Sequence, residues 1–186
     1  MQNPFTLTFG KSPLEPVERP LQTMEIVDTF TAETVNQQMF IITGVRGSGK
    51  TVMMTEIARR LREREDWVVI ELNPATDLLQ GMLAKLNSNK VCAAIIKSAK
   101  IDLSFFGFGV AIEGVPPLTD TETAIITILE KLKKQDKRLL ITIDEVTNND
   151  YMKVFAGSFQ IFVRQDLPVF LLATGLYENI DKLQNE

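Results

Sequence analysis

The stretch that decides the fold reads Gly44-Val45-Arg46-Gly47-Ser48-Gly49-Lys50-Thr51 and fits the pattern G-x-x-x-x-G-K-[ST] without a mismatch. Its glycines let the backbone bend so that successive N–H groups point inward and form a nest for anionic oxygens. In this pattern the lysine, here Lys50, reaches the β- and γ-phosphates of a nucleotide, and the hydroxyl of Thr51 binds Mg²⁺. All eight residues, called the phosphate loop below, are therefore candidate nucleotide-binding residues.

The elements on either side of the phosphate loop supply the context that this pattern needs. Residues 39–43, Met-Phe-Ile-Ile-Thr, form a short apolar run that is typical of a strand buried on both faces. From Lys50 to about Arg64, apolar residues recur at helical spacing. A plain glycine-rich turn is the alternative, and a strand before it with a helix after it argues against that interpretation.

Further strands and helices alternate along the rest of the chain. The predicted strands after the first are residues 67–72, 138–143 and 168–173. Helices are predicted over about 23–36, 78–86, 88–99, 119–134 and 152–163, with Ser88 as one cap and Thr119 to Glu122 as a capping box. Strands alternating with helices of this length predict an α/β fold of three layers with a mostly parallel sheet.

One segment departs from this alternation of strands and helices. Apolar and polar residues alternate from Ile101 to Phe105, and apolar residues alternate again from Phe108 to Ile112, after Gly107. A period of two is typical of strands, so we expect an inserted antiparallel β-hairpin at about residues 100–113.

Polar residues follow two of the predicted strands. Asp144 and Glu145 come directly after residues 138–143, and Thr174 ends the last strand. Parallel strands deliver their carboxyl ends to one edge of the sheet, where the phosphate loop also lies. We expect Asp144 to hold Mg²⁺, Glu145 to orient and deprotonate a water, and Thr174 to contact the γ-phosphate or that water. The alternatives are a solvated turn or helix cap for the two carboxylates and a turn threonine for Thr174.

Composition excludes several classes of site. The 186 residues include no histidine and one cysteine, Cys92, so histidine-based catalysis, cysteine metal clusters and an intramolecular disulfide are excluded. The net charge of the chain is −4. Residues 59–64 are rich in arginine, but acidic residues lie among and beside them, so we interpret this run as a solvated helix face rather than a nucleic-acid site. No apolar run is long enough to span a bilayer, and we expect a cytoplasmic location without membrane contact.

Together the phosphate loop, Ile141 to Glu145 and Leu171 to Gly175 resemble the Walker A, Walker B and sensor-1 elements of AAA+ ATPases. The chain looks most like prokaryotic ATP-binding proteins related to archaeal replication initiators and to STAND NTPases. The resemblance implies ATP (or ADP) as the nucleotide, Mg²⁺ as the cofactor, and Glu145, Lys50 and Thr174 as the catalytic set. It also implies a lead-in segment, residues 1–22 with Phe9, Gly10 and Arg19, that packs on the nucleotide site.

Departures from the AAA+ pattern qualify that resemblance. Such a core has strand order 5-1-4-3-2 and continues into a helical lid, whereas residues 23–186 hold four predicted strands and no lid. We therefore expect this sequence to be part of a longer protein and to act on protein partners or on further domains of the same protein. Any contact with DNA would come through regions beyond it. Without a fifth strand, residues 39–43 would lie on an open apolar edge, which predicts self-association.

Two functions remain open at this point. The first is an Mg²⁺-dependent ATPase that drives a conformational change in a larger multidomain protein. The alternative is a nucleotide-gated regulatory switch with negligible turnover, which the lack of a visible lid and arginine finger favours; Arg164 is only a surface candidate for such a finger. A small-molecule kinase fits less well, because Glu145 serves water activation better than phosphoryl transfer to a bound acceptor.

Overall fold

A computed structural model describes residues 20–109 and 111–176 of the chain. Within these ranges the helices and strands alternate as the sequence predicts. In chain order they are α1 (Pro20–Thr31), β1 (Met39–Thr43), α2 (Lys50–Arg62), β2 (Trp67–Leu72), α3 (Leu78–Ser88), α4 (Lys90–Ser98), α5 (Thr121–Lys133), β3 (Arg138–Ile143), α6 (Asp150–Arg164) and β4 (Val169–Gly175). The lead-in with Phe9, Gly10 and Arg19 lies outside the described residues, so its packing stays a prediction.

The four strands form one sheet in the order β1-β4-β3-β2, and all three strand pairs are parallel. This confirms the α/β P-loop core and the order 1-4-3-2, with no fifth strand in the described ranges. In the register, Ala173 of β4 pairs with Ile41 of β1 and with Ile143 of β3. The carboxyl ends of β1, β3 and β4 therefore lie side by side, which places the phosphate loop next to the residues that follow β3.

Helices cover both faces of the sheet and divide the core in two. Helices α3 to α6 pack on one face around a large apolar cluster. Helices α1 and α2 pack on the other, where the rings of Phe30 and Trp67 lie 5.2 Å and 4.9 Å from that of Phe170. This division follows from the right-handedness of crossover connections, because the direction of a connection decides on which face its helix lies. The connection from β1 to β2 crosses the sheet in one direction, and those from β2 to β3 and from β3 to β4 cross it in the other. None of the helices in residues 20–109 and 111–176 has the length and apolar character that crossing a bilayer requires.

The β-hairpin expected at residues 100–113 is wrong. The described part of this segment contains no strand, and Ser104–Phe106 form a single 3₁₀ turn. The segment is instead organised by Asp102, whose carboxylate accepts hydrogen bonds from the N–H groups of Ser104 (2.8 Å) and Ile112 (2.7 Å). Ile101, Asp102 and Leu103 are all buried, whereas Phe105 is 63% exposed, so the period of two in the sequence does not correspond to two faces of a strand.

Two helix caps also differ from the prediction. The cap of α5 is Asp120, which accepts from the N–H of Thr123 at 2.7 Å, and not Thr119. Glu122, the expected partner in a capping box, instead accepts a hydrogen bond from the Ser158 hydroxyl on α6. Helix α4 is capped by Asn89 rather than Ser88. In each case the residue that directly follows the predicted cap takes its place, and both are residue types that are favoured at this position.

Candidate nucleotide-binding site

The phosphate loop connects β1 to α2, as the sequence predicts. Gly47 and Gly49 adopt φ angles of 76° and 83°, in the left-handed region that glycine enters at little cost. Gly49 occupies the cap position of α2 without a side-chain hydrogen bond to the helix. The first N–H groups of α2 are therefore not claimed by a capping side chain, and with the positive end of the helix dipole they suit an anionic ligand.

Lys50 begins α2 and folds back over the phosphate loop. Its ammonium donates hydrogen bonds to the carbonyl oxygens of Gly44 (2.9 Å) and Val45 (2.8 Å). The charge of Lys50 thus lies over the turn that the loop makes. A phosphate oxygen placed there would compete with these two carbonyl groups for the ammonium.

A chain of hydrogen bonds joins the loop to the carboxyl end of β3. The Thr51 hydroxyl donates to the carboxylate of Asp144, at 3.0 Å from Oδ2 and 3.2 Å from Oδ1. The Thr174 hydroxyl also donates to Asp144, and it accepts a hydrogen bond from the N–H of Glu145 at 3.0 Å. Residues that are far apart in sequence thus form one constellation, called the Asp144 network below.

The two carboxylates that follow β3 occupy different environments. Asp144 is partly buried within its network, whereas the Glu145 side chain is exposed. Glu145 has a φ of 54°, an unusual value for a residue other than glycine. A hydrogen bond of 2.8 Å from the N–H of Val146 to the carbonyl of Thr174 holds the next residue. The backbone is therefore held on both sides of Glu145, directly after Asp144 at the carboxyl end of β3.

The structure does not place every sequence candidate in this network. Val45 and Arg46 are exposed at the outer side of the loop, and Thr174 is fully buried with its hydroxyl committed to Asp144 and Glu145. Contact between Thr174 and a phosphate or a water stays a prediction.

Sequence analysis missed one residue near this edge. Asn149 caps α6 by accepting from the N–H of Met152, and its amide donates to the carbonyl of Pro74 at 2.8 Å and to the Thr147 hydroxyl at 3.0 Å. It therefore ties the segment after β3 to the loop after β2. An asparagine directly before an amphipathic helix is a capping signal that could have identified it.

The oxygen donors present fit Mg²⁺ better than other common metals. No group of three or more acidic, histidine or cysteine side chains that could hold a metal ion occurs within residues 20–109 and 111–176, so the described residues offer no complete protein cage. The pair formed by the Thr51 hydroxyl and the Asp144 carboxylate is hard and oxygen-only. Mg²⁺ typically takes one or two protein oxygens together with phosphate oxygens and waters, which is what this pair can provide.

Comparison with known proteins identifies the family. The sequence model of an ATPase domain predominantly from Archaea matches residues 24–164, about three quarters of the chain. The chain belongs to this family. This ATPase domain thus binds ATP, and the match includes the phosphate loop, Asp144 and Glu145. A search among curated proteins found no match.

A solved structure supports the fold of the ATPase domain. The crystal structure of Cdc6p from Pyrobaculum aerophilum superposes with a TM-score of 0.56 at 16% sequence identity. The match covers 96% of this chain and 43% of that chain. The ATPase domain therefore spans less than half the length of the protein whose fold it shares.

Proposed function

We propose that the domain holds ATP and Mg²⁺ on the phosphate loop and hydrolyses ATP to drive a conformational change in a larger multidomain protein. The observation that carries this proposal is the Asp144 network, which joins the loop through Thr51 to the turn that bears Glu145. Hydrolysis of ATP needs positioning and charge stabilisation more than covalent chemistry by the protein. The network supplies that positioning at one edge of the sheet.

Each part of the site has a role in this proposal. Backbone N–H groups of residues 44–51 bind the phosphates, and the Lys50 ammonium exchanges its two carbonyl acceptors for phosphate oxygens. Thr51 and Asp144 hold Mg²⁺, which when bound neutralises charge on the phosphates. Glu145 orients a water and accepts its proton as general base. Thr174 holds Asp144 and the Glu145 backbone in register and thereby orients the metal ligand and the base.

The setting of the domain is also part of this proposal. The domain works in the cytoplasm, and protein partners or further domains of the same protein receive its conformational change. We assign any contact with DNA to regions beyond this sequence, because Arg59 and Arg60 are paired with Glu56 on α2. A second copy of the chain can pair along the exposed edge of β1.

A regulatory switch with negligible turnover is the second candidate. The position of Lys50 favours it, because its ammonium must leave the carbonyls of Gly44 and Val45 when phosphate enters. Nucleotide binding is then coupled to a rearrangement of the loop itself. Binding of this kind can report the nucleotide state even when Glu145 turns over little ATP.

Substitution of Glu145 separates these two functions. An ATPase carrying Glu145→Gln should bind ATP as before and lose turnover by about 10²- to 10⁴-fold, the usual contribution of a general base. Turnover is measured as phosphate release, and binding by isothermal titration with ATP and Mg²⁺. Glu130→Gln, which neutralises an exposed carboxylate on α5, is the matched control, and Lys50→Ala should abolish binding.

The outcomes distinguish the candidates cleanly. ATP binding with no hydrolysis by the unchanged chain would favour the switch. Hydrolysis that survives Glu145→Gln would remove Glu145 from the mechanism, and full ATP affinity in Lys50→Ala would refute the phosphate loop as the binding site.

A further inference from the structure

The strands β2 and β3 leave the sheet at the same level. Leu72 and Ile143 are their last residues, and these two residues pair in the register. Residues 73–77 then lead from β2 into α3, and residues 144–149 lead from β3 into α6. Glu145, the proposed base, lies in the second of these segments. The contacts that join the two segments therefore bear on the position of the base.

The side chain of Asn149 connects the two segments. Its amide NH₂ group donates hydrogen bonds to the carbonyl oxygen of Pro74 at 2.8 Å and to the hydroxyl of Thr147 at 3.0 Å. Its carbonyl oxygen accepts from the N–H of Met152 at 2.9 Å and thereby caps α6. Since a side-chain amide has separate donor and acceptor atoms, the connection to Pro74 and the helix cap depend on different atoms of Asn149.

β3 lies between β4 and β2, and the turn that follows it is held from both sides. On the β4 side, Thr174 accepts from the N–H of Glu145 through its hydroxyl at 3.0 Å and from the N–H of Val146 through its carbonyl oxygen at 2.8 Å. On the β2 side, Asn149 binds Pro74. Glu145 has a φ of 54°, and a residue other than glycine keeps such a conformation only where its surroundings enforce it. The hydrogen bonds on the two sides supply that constraint.

We propose that Asn149 is a positioning residue for Glu145, because its amide holds the turn after β3 from the β2 side. This inference rests on the proposed function, since it presupposes that Glu145 is the base. The position of a base matters, because a misplacement of about 1 Å in a catalytic site can lower the rate about 10²-fold. The phosphates are bound by residues 44–51, which follow another strand, so loss of the connection should lower turnover and leave the affinity for ATP unchanged.

Two substitutions of Asn149 remove the connection and keep the helix cap. Asn149→Asp has nearly the same shape and retains an oxygen for the N–H of Met152, but it has no N–H group to donate to Pro74. Asn149→Ser also retains a capping oxygen, lacks the amide and adds no charge. Aspartate and serine are both favoured at the cap position of a helix, so α6 should keep its stability in either variant.

Steady-state turnover in the full chain tests the inference. We expect kcat for ATP hydrolysis to fall about tenfold or more in Asn149→Asp and in Asn149→Ser, with the Kd for ATP and the melting temperature nearly unchanged. Combined with Glu145→Gln, Asn149→Asp should cause no further loss, because both changes then act on the same group. Asn89→Asp is the matched control and should change nothing. Asn89 caps α4 by accepting from two backbone N–H groups, and its amide donates to no residue in the described ranges.

Amide hydrogen exchange, measured by NMR, gives a second readout that does not depend on hydrolysis. In Asn149→Asp the N–H groups of Glu145 and Val146 should exchange faster, because the turn opens more often, while the N–H of Met152 should stay protected by the retained cap. Unchanged exchange at Glu145 and Val146 would overturn the inference.

The turnover results can also overturn it. A loss in Asn149→Asp that Asn149→Ser does not share would assign the effect to the added charge. A further loss on top of Glu145→Gln would show that Asn149 acts other than through Glu145. Hydrolysis that survives Glu145→Gln would instead refute the proposed base, and exchange at Glu145 would still decide whether Asn149 holds the turn. The failure of the inference and the failure of the proposed function are therefore distinguishable.

Discussion

At the scale of single residues, one hydroxyl group organises both carboxylates of the candidate site. Thr174 donates to Asp144 and accepts from the N–H of Glu145, and it is fully buried. A threonine hydroxyl can make both bonds from within a strand, because it is a donor and an acceptor at once. Because the hydroxyl orients Asp144 and fixes the backbone of Glu145, its loss would disturb the proposed metal ligand and the proposed base together.

Thr174→Val removes that hydroxyl with almost no change in shape. We expect kcat for ATP hydrolysis to fall by about 10- to 100-fold, the usual cost of losing a group that orients a metal ligand. KM for ATP should change little, because the phosphate loop is untouched. Thr174→Ser, which keeps the hydroxyl, should restore most of the activity. A Thr174→Val variant that hydrolyses ATP at the unchanged rate would show that the hydroxyl positions nothing of consequence.

At the scale of elements, the loop after α4 depends on one buried carboxylate. The hydrogen bonds from Ser104 and the N–H of Ile112 hold the pKa of Asp102 below its usual value. A carboxyl whose pKa is lower in the folded state stabilises the fold above its unfolded pKa of about 3.9, and this contribution is lost as pH falls through the folded value. Asp102→Asn should therefore lower the melting temperature at pH 7, and the difference from the unchanged chain should shrink below about pH 4.

Thermal unfolding between pH 7 and pH 3 checks this prediction. Glu56 and Asp120 also have lowered pKa values, from the arginines beside Glu56 and the N–H of Thr123 beside Asp120, so the unchanged chain alone would not isolate Asp102. The difference between variant and parent does isolate it. Glu113→Gln, which neutralises an exposed carboxylate of the same loop, is the control. A difference that stays constant from pH 7 to pH 3 would contradict the role assigned to Asp102.

The same loop shows where sequence patterns stop being informative. The phosphate loop and the family's strand–helix alternation could be predicted, because each depends on local spacing, and the meeting of Thr51 with Asp144 follows from parallel strands ending at one edge. Alternation from Ile101 to Phe105 could not reveal a loop, since a strand and an irregular segment around a buried carboxylate can share a period of two. The fold of Lys50 onto two carbonyls likewise depends on local geometry that no spacing encodes.

At the scale of the whole molecule, one edge of the sheet that the described residues form is apolar and exposed. This edge is β1. Along a strand, the backbone N–H and C=O groups of successive residues point alternately toward one neighbour and the other. The Gln38 carbonyl accepts from the N–H of Leu171 in β4, so the N–H and C=O groups of Met39 and Ile41 point away from β4. The Gln37 amide caps the Met39 carbonyl at 2.9 Å. Met39 is 45% exposed and Ile41 36% exposed, so this edge offers both outward-facing backbone groups and apolar surface.

An open apolar edge of this kind favours pairing between copies of the chain. We expect light scattering coupled to size-exclusion chromatography to show a mass that rises with protein concentration above that of the 20.9 kDa monomer. Met39→Lys should shift the protein toward the monomer, because a charge on an edge strand opposes strand pairing while its aliphatic stem still covers the local surface. Met24→Lys is the control, because Met24 is 50% exposed but lies on α1 and not on β1. It should leave the mass unchanged. If Met24→Lys weakens association as much as Met39→Lys does, the contact lies away from β1. A monomer at every concentration would show that the edge is protected from pairing.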